Sequence, residues 1–311
     1  MARLEVVPFS DEHLDAAAAL LAARHVRHRE AEPLLPELAD PLAELERERR
    51  SEGAAGVFAS RGGKPVGYLV AAPFTVRTAP VWMRAGIAGL AVDGDPEAMR
   101  DLYAAAAQRW ADNGLRRHAV YVPSFDTELV DAWFRLSFGA SACMATRETE
   151  PEEPFNAGVT IRPGTPDDFD ESARLELAMS EAMLQSPSFS GFALPRQEEI
   201  AAEWREEFSD EDELFVAERN GRIVGHLLLY RRPPDLRVPE NGIDLADAST
   251  EPEARGTGVG RALTAHAIRW AHEHGYPVMT VDWRMTNLWA SRFWPRRGFR
   301  PTFLRLYRSI S

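Results

Sequence analysis

Along the second half of the chain, apolar positions alternate in short runs and then recur at helical spacing. Val159 to Pro163 reads as a short strand, and Thr165-Pro-Asp-Asp as a helix N-cap with proline at the first helical position. A helix is predicted from there to about Met183, followed by a Ser- and Pro-rich loop from Ser186 to Pro195 that carries Phe189 and Phe192. Arg196 to Phe208 is again helical. Leu214 to Glu218 and Ile223 to Tyr230 alternate around Asn220-Gly221, a strong hairpin signal. Ile243 to Thr250 predicts a strand, Arg261 to His274 a helix, and Val278 to Trp283 and Arg300 to Ile310 two further strands.

The first half repeats this order. Arg3 to Pro8 parallels Val159 to Pro163, and an acidic-capped helix follows each. Gly56 to Ser60 and Pro65 to Val70 flank Gly62-Gly63 as the later strands flank Asn220-Gly221, down to a shared Val-Gly step. Met83 to Val92, Pro96 to Asn113 and His118 to Val122 continue the parallel, and Leu136 to Gly139 stands near the place of Arg297 to Phe299. Two copies of one fold are expected. Glu148 to Ala157, acidic and holding two prolines, reads as the linker between domains at 1–147 and 158–311.

Composition narrows the class. With 45% hydrophobic and 27% charged residues, the 311-residue chain is an ordinary globular protein, long enough for two domains of about 150 residues. No apolar run is long enough to span a membrane, and the start lacks the apolar region of a signal peptide. A lone cysteine, Cys143, excludes an internal disulfide and fits a reducing cytoplasm. The net charge of −12 argues against nucleic acid and anionic membranes as partners. Residues 151–239 carry 9 Arg and no Lys against 19 Asp plus Glu, whereas residues 240–311 carry 10 Arg against 7 acids. The last segment is therefore basic and the one before it acidic.

That basic segment holds the most specific motif, Arg255-Gly256-Thr257-Gly258-Val259-Gly260-Arg261. A glycine-rich turn opening a helix presents unpaired backbone N–H groups at the positive end of the helix dipole, a site for an anion such as a pyrophosphate. A P-loop would need Lys-Ser/Thr after the last glycine, where Arg261-Ala262 stands. The dinucleotide pattern read from Gly256 fails at Arg261. The first half has Asp93-Gly94-Asp95-Pro96-Glu97 at the equivalent place, where three carboxylates would repel an anion and Pro96 removes an N–H donor.

R-x-x-G-x-G, followed by Asn287-x-x-Ala290-x-x-Phe293-Trp294-x-x-x-Gly298-Phe299, resembles the GNAT superfamily of acetyl-CoA-dependent N-acyltransferases over roughly Ile161 to Ser311. The resemblance implies an α/β (α+β) fold of two tandem GNAT-like domains, each a mixed, mostly antiparallel sheet flanked by helices. Tandem copies with a degenerate first half are the layout of the mycothiol synthases. The implied activity is direct transfer of an acetyl group from acetyl-CoA to a small-molecule amine in a ternary complex, in the cytoplasm, by a monomer or homodimer. Arg255, Gly256, Thr257, Gly258, Val259, Gly260 and Arg261 would hold the pyrophosphate of coenzyme A. Asn287 would bond the pantetheine arm or fix the strand splay, and Ala290 and Phe293 would pack beside the thioester. Backbone N–H groups near Ala248, Ser249 and Thr250, on a strand that splays at a bulge, would polarise the acyl carbonyl.

The proton chemistry is less legible. In the family the proton-taking side chain often lies eleven or nine positions before the loop arginine, which are Asp244 and Ala246 here. Asp244 is therefore the first candidate base and Asp282 the second, with a salt-bridged or orienting Asp244 as the structural alternative. In a regular strand Asp244 and Asp247, three apart, point to opposite faces. Trp294 stands where the family often has the tyrosine that protonates the leaving thiolate, and indole N–H lacks the acidity. Tyr307 is the candidate replacement. His266, His272 and His274 lack metal-ligand spacing, so no metal is expected. The acidic segment suggests a cationic acceptor, and the competing function is a non-catalytic coenzyme A-binding sensor or structural protein.

Overall fold

The computed structural model describes residues 2–75, 81–150, 153–189 and 194–310. The chain divides into two compact units, residues 1–144 with 301–311, and residues 145–300. Each follows the same succession of elements. The first copy runs β1 (Leu4–Pro8), α1 (Leu14–Ala31), α2 (Pro41–Arg50), β2 (Ala55–Arg61), β3 (Lys64–Phe74), β4 (Trp82–Ala85), β5 (Leu90–Val92), α3 (Pro96–Asp112), β6 (Arg117–Pro123), α4 (Thr127–Phe134) and β7 (Gly139–Glu148). The second runs β8 (Thr160–Pro163), α5 (Phe169–Met183), α6 (Gln197–Glu207), β9 (Glu213–Arg219), β10 (Arg222–Tyr230), β11 (Gly242–Thr250), α7 (Val259–Glu273), β12 (Val278–Arg284), α8 (Leu288–Phe293) and β13 (Arg300–Ser309).

In the second unit β8, β9, β10 and β11 pair antiparallel in that order, and β12 joins β11 in parallel. Asn220 and Gly221 both take positive φ, as the tight β9–β10 turn requires. Thr165 caps the turn before α5, its N–H donated to Asp168, as its sequence predicts. Phe169, Ala173 and Leu175 of α5 and Ile200, Ala201 and Trp204 of α6 close over one sheet face, on Leu214, Val216 and Ile223. α7 covers the other face, with Val259 and Leu263 against Gly225.

The sequence division fails to anticipate one element. β13 belongs with the first unit, where it pairs antiparallel with β6 from Phe303↔Pro123 to Ser309↔Arg117. Leu306 is fully buried in that unit's core and Phe303 meets the His28 ring edge-on. Local pattern identifies such a strand but carries no information about which sheet will take it. Within the expected linker, Thr149 donates its N–H to the Pro277 carbonyl.

Two features distinguish the first copy. Its central strand is broken into β4 and β5, and Glu48 accepts the N–H groups of Gly86 and Ala88 between them, burial pushing its carboxyl above the ordinary range. At the head of α3, Asp95 is held by Arg61 at 2.7 Å.

Candidate active site

Gly258 caps α7 in the left-handed region, φ +96°, and Ala262 closes the first helical turn by donating to its carbonyl. Val259, Gly260 and Arg261 are then the first-turn N–H groups without an intrahelical acceptor, at the positive end of a 15-residue helix. Gly256, φ +76°, has nothing within 4 Å of where a side chain would begin, so the approach is open there. Gly260 faces Phe293 and Thr250 at ordinary contact distance. Arg255 is half-buried at the head of the turn and Arg261 exposed beside it. The donor set and open backbone fit a pyrophosphate. Phe155 was not anticipated here. Its ring lies on Gly258, with the Arg261 guanidinium 4.1 Å above it. Arg219 ties Thr257 to the Ala157 carbonyl.

The pyrophosphate turn follows a strand that splays as expected. β11 and β12 pair only from Gly242↔Val278 to Leu245↔Val281, although both strands continue. On its other side β11 pairs Leu245 with Leu229 and Asp247 with Leu228, so Ala246 is the extra residue of a bulge. Glu251 donates to Val224 of β10. By the alternation of an antiparallel ladder, Ser249 also turns its N–H towards β10, while Ala248 and Thr250 turn theirs into the gap beside β12. Of the three expected amides, Ser249 is therefore excluded; its hydroxyl donates to the Leu175 carbonyl instead.

The bulge changes which side chains share a face. Paired residues point the same way, and Tyr230, Leu228 and His226 lie on one face of β10. Their partners Asp244, Asp247 and Ser249 therefore share the face covered by α5 and α6, contrary to the regular-strand expectation. Asp244 is buried and bound, with Arg232 at 2.7 Å and the Thr280 hydroxyl on its other oxygen. Neighbouring carboxylates hold the Arg232 guanidinium above its ordinary pKa despite burial. Both carboxylate oxygens of Asp244 are thus occupied by partners. Asp282 is exposed on β12, two residues beyond Thr280 on the same face.

Other expected residues sort clearly. Asn287 caps α8, its Oδ1 accepting from Trp289 and Ala290, while its Nδ2 approaches Met183 Sδ at 3.6 Å. Ala290 is half-buried in α8, and Phe293 flanks the glycine turn. Trp294 is buried between the rings of Phe293 and Phe299. Tyr307 lies on β13 in the first unit, its ring against Trp82. Phe189 is 75% exposed, and Phe192 lies outside the described residues. Among the described residues there is no group of three potential metal-ligating side chains.

A polar cluster that pattern reading missed stands beside the bulge. His226 is fully buried on β10, and neither ring nitrogen has a hydrogen-bond partner. Its Nε2 lies 3.7 Å from Asp247 Oδ1, itself without a partner, and its ring stacks on Trp204. Glu176 of α5 accepts from Trp204 Nε1 at 2.8 Å. Burial first, then the Asp247 charge, pushes the Glu176 carboxyl above the ordinary range. The available signals were a lone histidine within an apolar strand, Ile223 to Leu229, and a glutamate three, four and seven residues before Met179, Ser180 and Met183 on one helix face.

Residues 179–299 match the acetyltransferase (GNAT) family model. A mycothiol acetyltransferase of Thermomonospora curvata is 31% identical over 150 residues, 48% of this chain and 46% of the relative. One from Streptomyces bingchenggensis is 30% identical over 149 residues, 48% of this chain and 45% of the relative. The matched stretch thus spans about half the length of these curated relatives. A GCN5-related N-acetyltransferase from Sphaerobacter thermophilus superposes with a TM-score of 0.61 at 16% identity, covering 98% of this chain and 95% of that one. A tandem GNAT protein from the clavulanic acid biosynthesis pathway superposes with a TM-score of 0.53 at 16% identity, covering 99% and 98%.

Proposed function

We propose that this chain, whose second half belongs to the GNAT acetyltransferase family and whose fold is the tandem GNAT layout, transfers an acetyl group from acetyl-CoA to a small-molecule amine. The observation that carries the reading is the Gly258-capped start of α7 lying at the end of the strand that parts from β12. Val259, Gly260 and Arg261 offer their N–H groups to the pyrophosphate, and Arg255 and Arg261 add charge. Ala248 and Thr250 direct N–H groups to where an acyl oxygen would need donors. Acetyl-CoA supplies an activated acyl thioester when bound. At the corresponding turn the first copy carries Asp93, Asp95 and Glu97, with Asp95 tied to Arg61, and this supports placing the activity in the second unit. We place the reaction in a reducing cytoplasm and read direct transfer in a ternary complex, with one or two copies of the chain.

Trp294, packed in an aromatic cluster, supplies no acid for the departing sulfur, and this favours a coenzyme A-binding sensor as the competing reading. Calorimetric titration with acetyl-CoA, repeated on Gly258→Asp, tests the cofactor site, and thiol release over an amine panel tests turnover. Binding abolished by the substitution together with amine-dependent thiol release is expected. Binding with no release on any amine would establish the sensor.

A further inference from the structure

Two carboxylates and a buried histidine remain unused by the cofactor site. Glu176 descends from α5 and Asp247 rises from β11 just past the bulge, on the sheet face opposite α7. They are close enough that the charge on Asp247 opposes ionisation of Glu176. His226 lies beneath Asp247 with no exposed surface and no hydrogen bond from either ring nitrogen. A neutral imidazole carries one donor and one acceptor, and leaving either unpaired in a core is costly, so an empty pair of such atoms calls for a partner. Asp247 Oδ1 is the atom it faces, 3.7 Å away and also without a partner. The remaining groups against Glu176 are Trp204, which donates to it, the His226 imidazole, which favours its ionised form, and Glu203, whose charge adds to that of Asp247. Arg232, farther along the same face, is taken by Asp244. Among the described residues the site therefore sets two carboxylates against a single imidazole, with no arginine or lysine paired to either of them.

Building on the acetyl-transfer reading above, we propose that Glu176 and Asp247 bind the acceptor as an ammonium ion, that Asp247 takes its proton, and that His226 is the positioning residue through which Asp247 shares that proton. An ammonium offers three N–H donors to two acceptor-only carboxylates and supplies the missing counter-charge. One N–H proton passes to Asp247. The lone pair freed on nitrogen forms the C–N bond to the acyl carbon while the C–S bond breaks and sulfur keeps its electron pair. Nitrogen then loses a second proton and sulfur gains one, so one proton is released overall. Ala248 and Thr250 direct their N–H groups into the gap next to Asp247 on the same strand, which brings amine and acyl group to one place.

The test uses the full chain saturated with coenzyme A and titrated by calorimetry with benzylamine, 1,4-diaminobutane and glucosamine, and with benzyl alcohol as the uncharged control. At least one ammonium probe binds, benzyl alcohol does not, and Glu176→Gln and Asp247→Asn each weaken the probe at least tenfold (about the discrimination expected of a charge-assisted bond) while coenzyme A affinity holds. With acetyl-CoA and the bound amine, Asp247→Asn slows thiol release by about 10²-fold near neutral pH, and the defect shrinks as rising pH deprotonates the amine in solution. His226→Gln lowers kcat and leaves KM for the amine unchanged. Equal probe affinity in wild type and both carboxylate variants, or no probe binding to a protein that does bind coenzyme A, would overturn the site. A defect constant with pH would overturn proton transfer to Asp247, and an unchanged kcat in His226→Gln would overturn its positioning part. Failure of the wild type to bind coenzyme A is a different result, and it sinks the acetyl-transfer reading itself.

Discussion

Asp244 and Asp247 lie on the same face of β11, because Ala246 between them is the extra residue of a bulge. Their environments then divide their roles. Asp244 is enclosed by Arg232 and Thr280 and holds β11 to β12 where the strands are still paired. Asp247 lies just past the last paired residue and the bulge, faces a histidine and has an oxygen to spare. One residue of extra chain thus turns a fully bound carboxylate and one with an unpartnered oxygen towards the same face of the sheet.

Asp244→Asn should act on stability before chemistry. It removes the negative partner of Arg232, which is only partly exposed, so the loss should be about 2 kcal/mol, below that of a fully buried pair because water can reach the guanidinium. Urea unfolding measures it. Thiol release by the folded variant should stay within about tenfold of wild type, and a loss of 10³ or more would return the base to Asp244.

Gly258→Ala should be worse than Gly256→Ala. Both glycines have positive φ, which costs an alanine about 1 kcal/mol or more. Only at 258 would the new methyl also run into Phe155. Because the displaced groups frame the N–H cradle, Gly258→Ala should weaken acetyl-CoA at least tenfold by calorimetry, an effect of about 1.4 kcal/mol. Similar affinities for the two variants would show that Phe155 does not constrain the turn.

Local signals carried the fold a long way. The Asn220-Gly221 turn, the Thr165 cap, the glycine turn and the duplicated order of elements all depend on neighbours in sequence. What was not legible depends on residues far apart. The face of Asp247 is set by a register shift against β10, the contact of Phe155 with Gly258 spans about a hundred residues, and the sheet that receives β13 is a choice between two similar edges. Tyr307 lies on that strand, so its side chain belongs to the first unit and not to the 158–311 domain expected from the sequence pattern.

Leu306→Ala tests that placement. The side chain is fully buried among first-unit residues that include Trp133 and Val120. Truncation should cost about 3 kcal/mol, the usual range for a buried leucine. The loss should appear in the unfolding of the first unit, read by hydrogen exchange at β6 amides such as Val120 and Val122. Acetyl-CoA affinity should be little changed. Loss of protection confined to β11 and β12 would assign the strand to the other unit.

Glu176→Gln separates stability from activity. Burial and the Asp247 charge hold this carboxyl above its unfolded value of 4.5, so the folded chain binds the proton more tightly than the unfolded one. Its contribution is then fully favourable below that unfolded value and is lost as pH rises through the folded one. Glutamine keeps the shape and the Trp204 hydrogen bond without the charge. The variant should melt about 2–4 °C above wild type near neutral pH, for a gain of about 1 kcal/mol, and the difference should fade on acidification below about pH 4. The same substitution should weaken the amine site, so a more stable protein with poorer acceptor binding is the expected pair of results. A variant that melts below wild type at neutral pH would mean that the Glu176 charge is compensated in the folded state, and the unpaired negative site proposed for the ammonium would lose its basis.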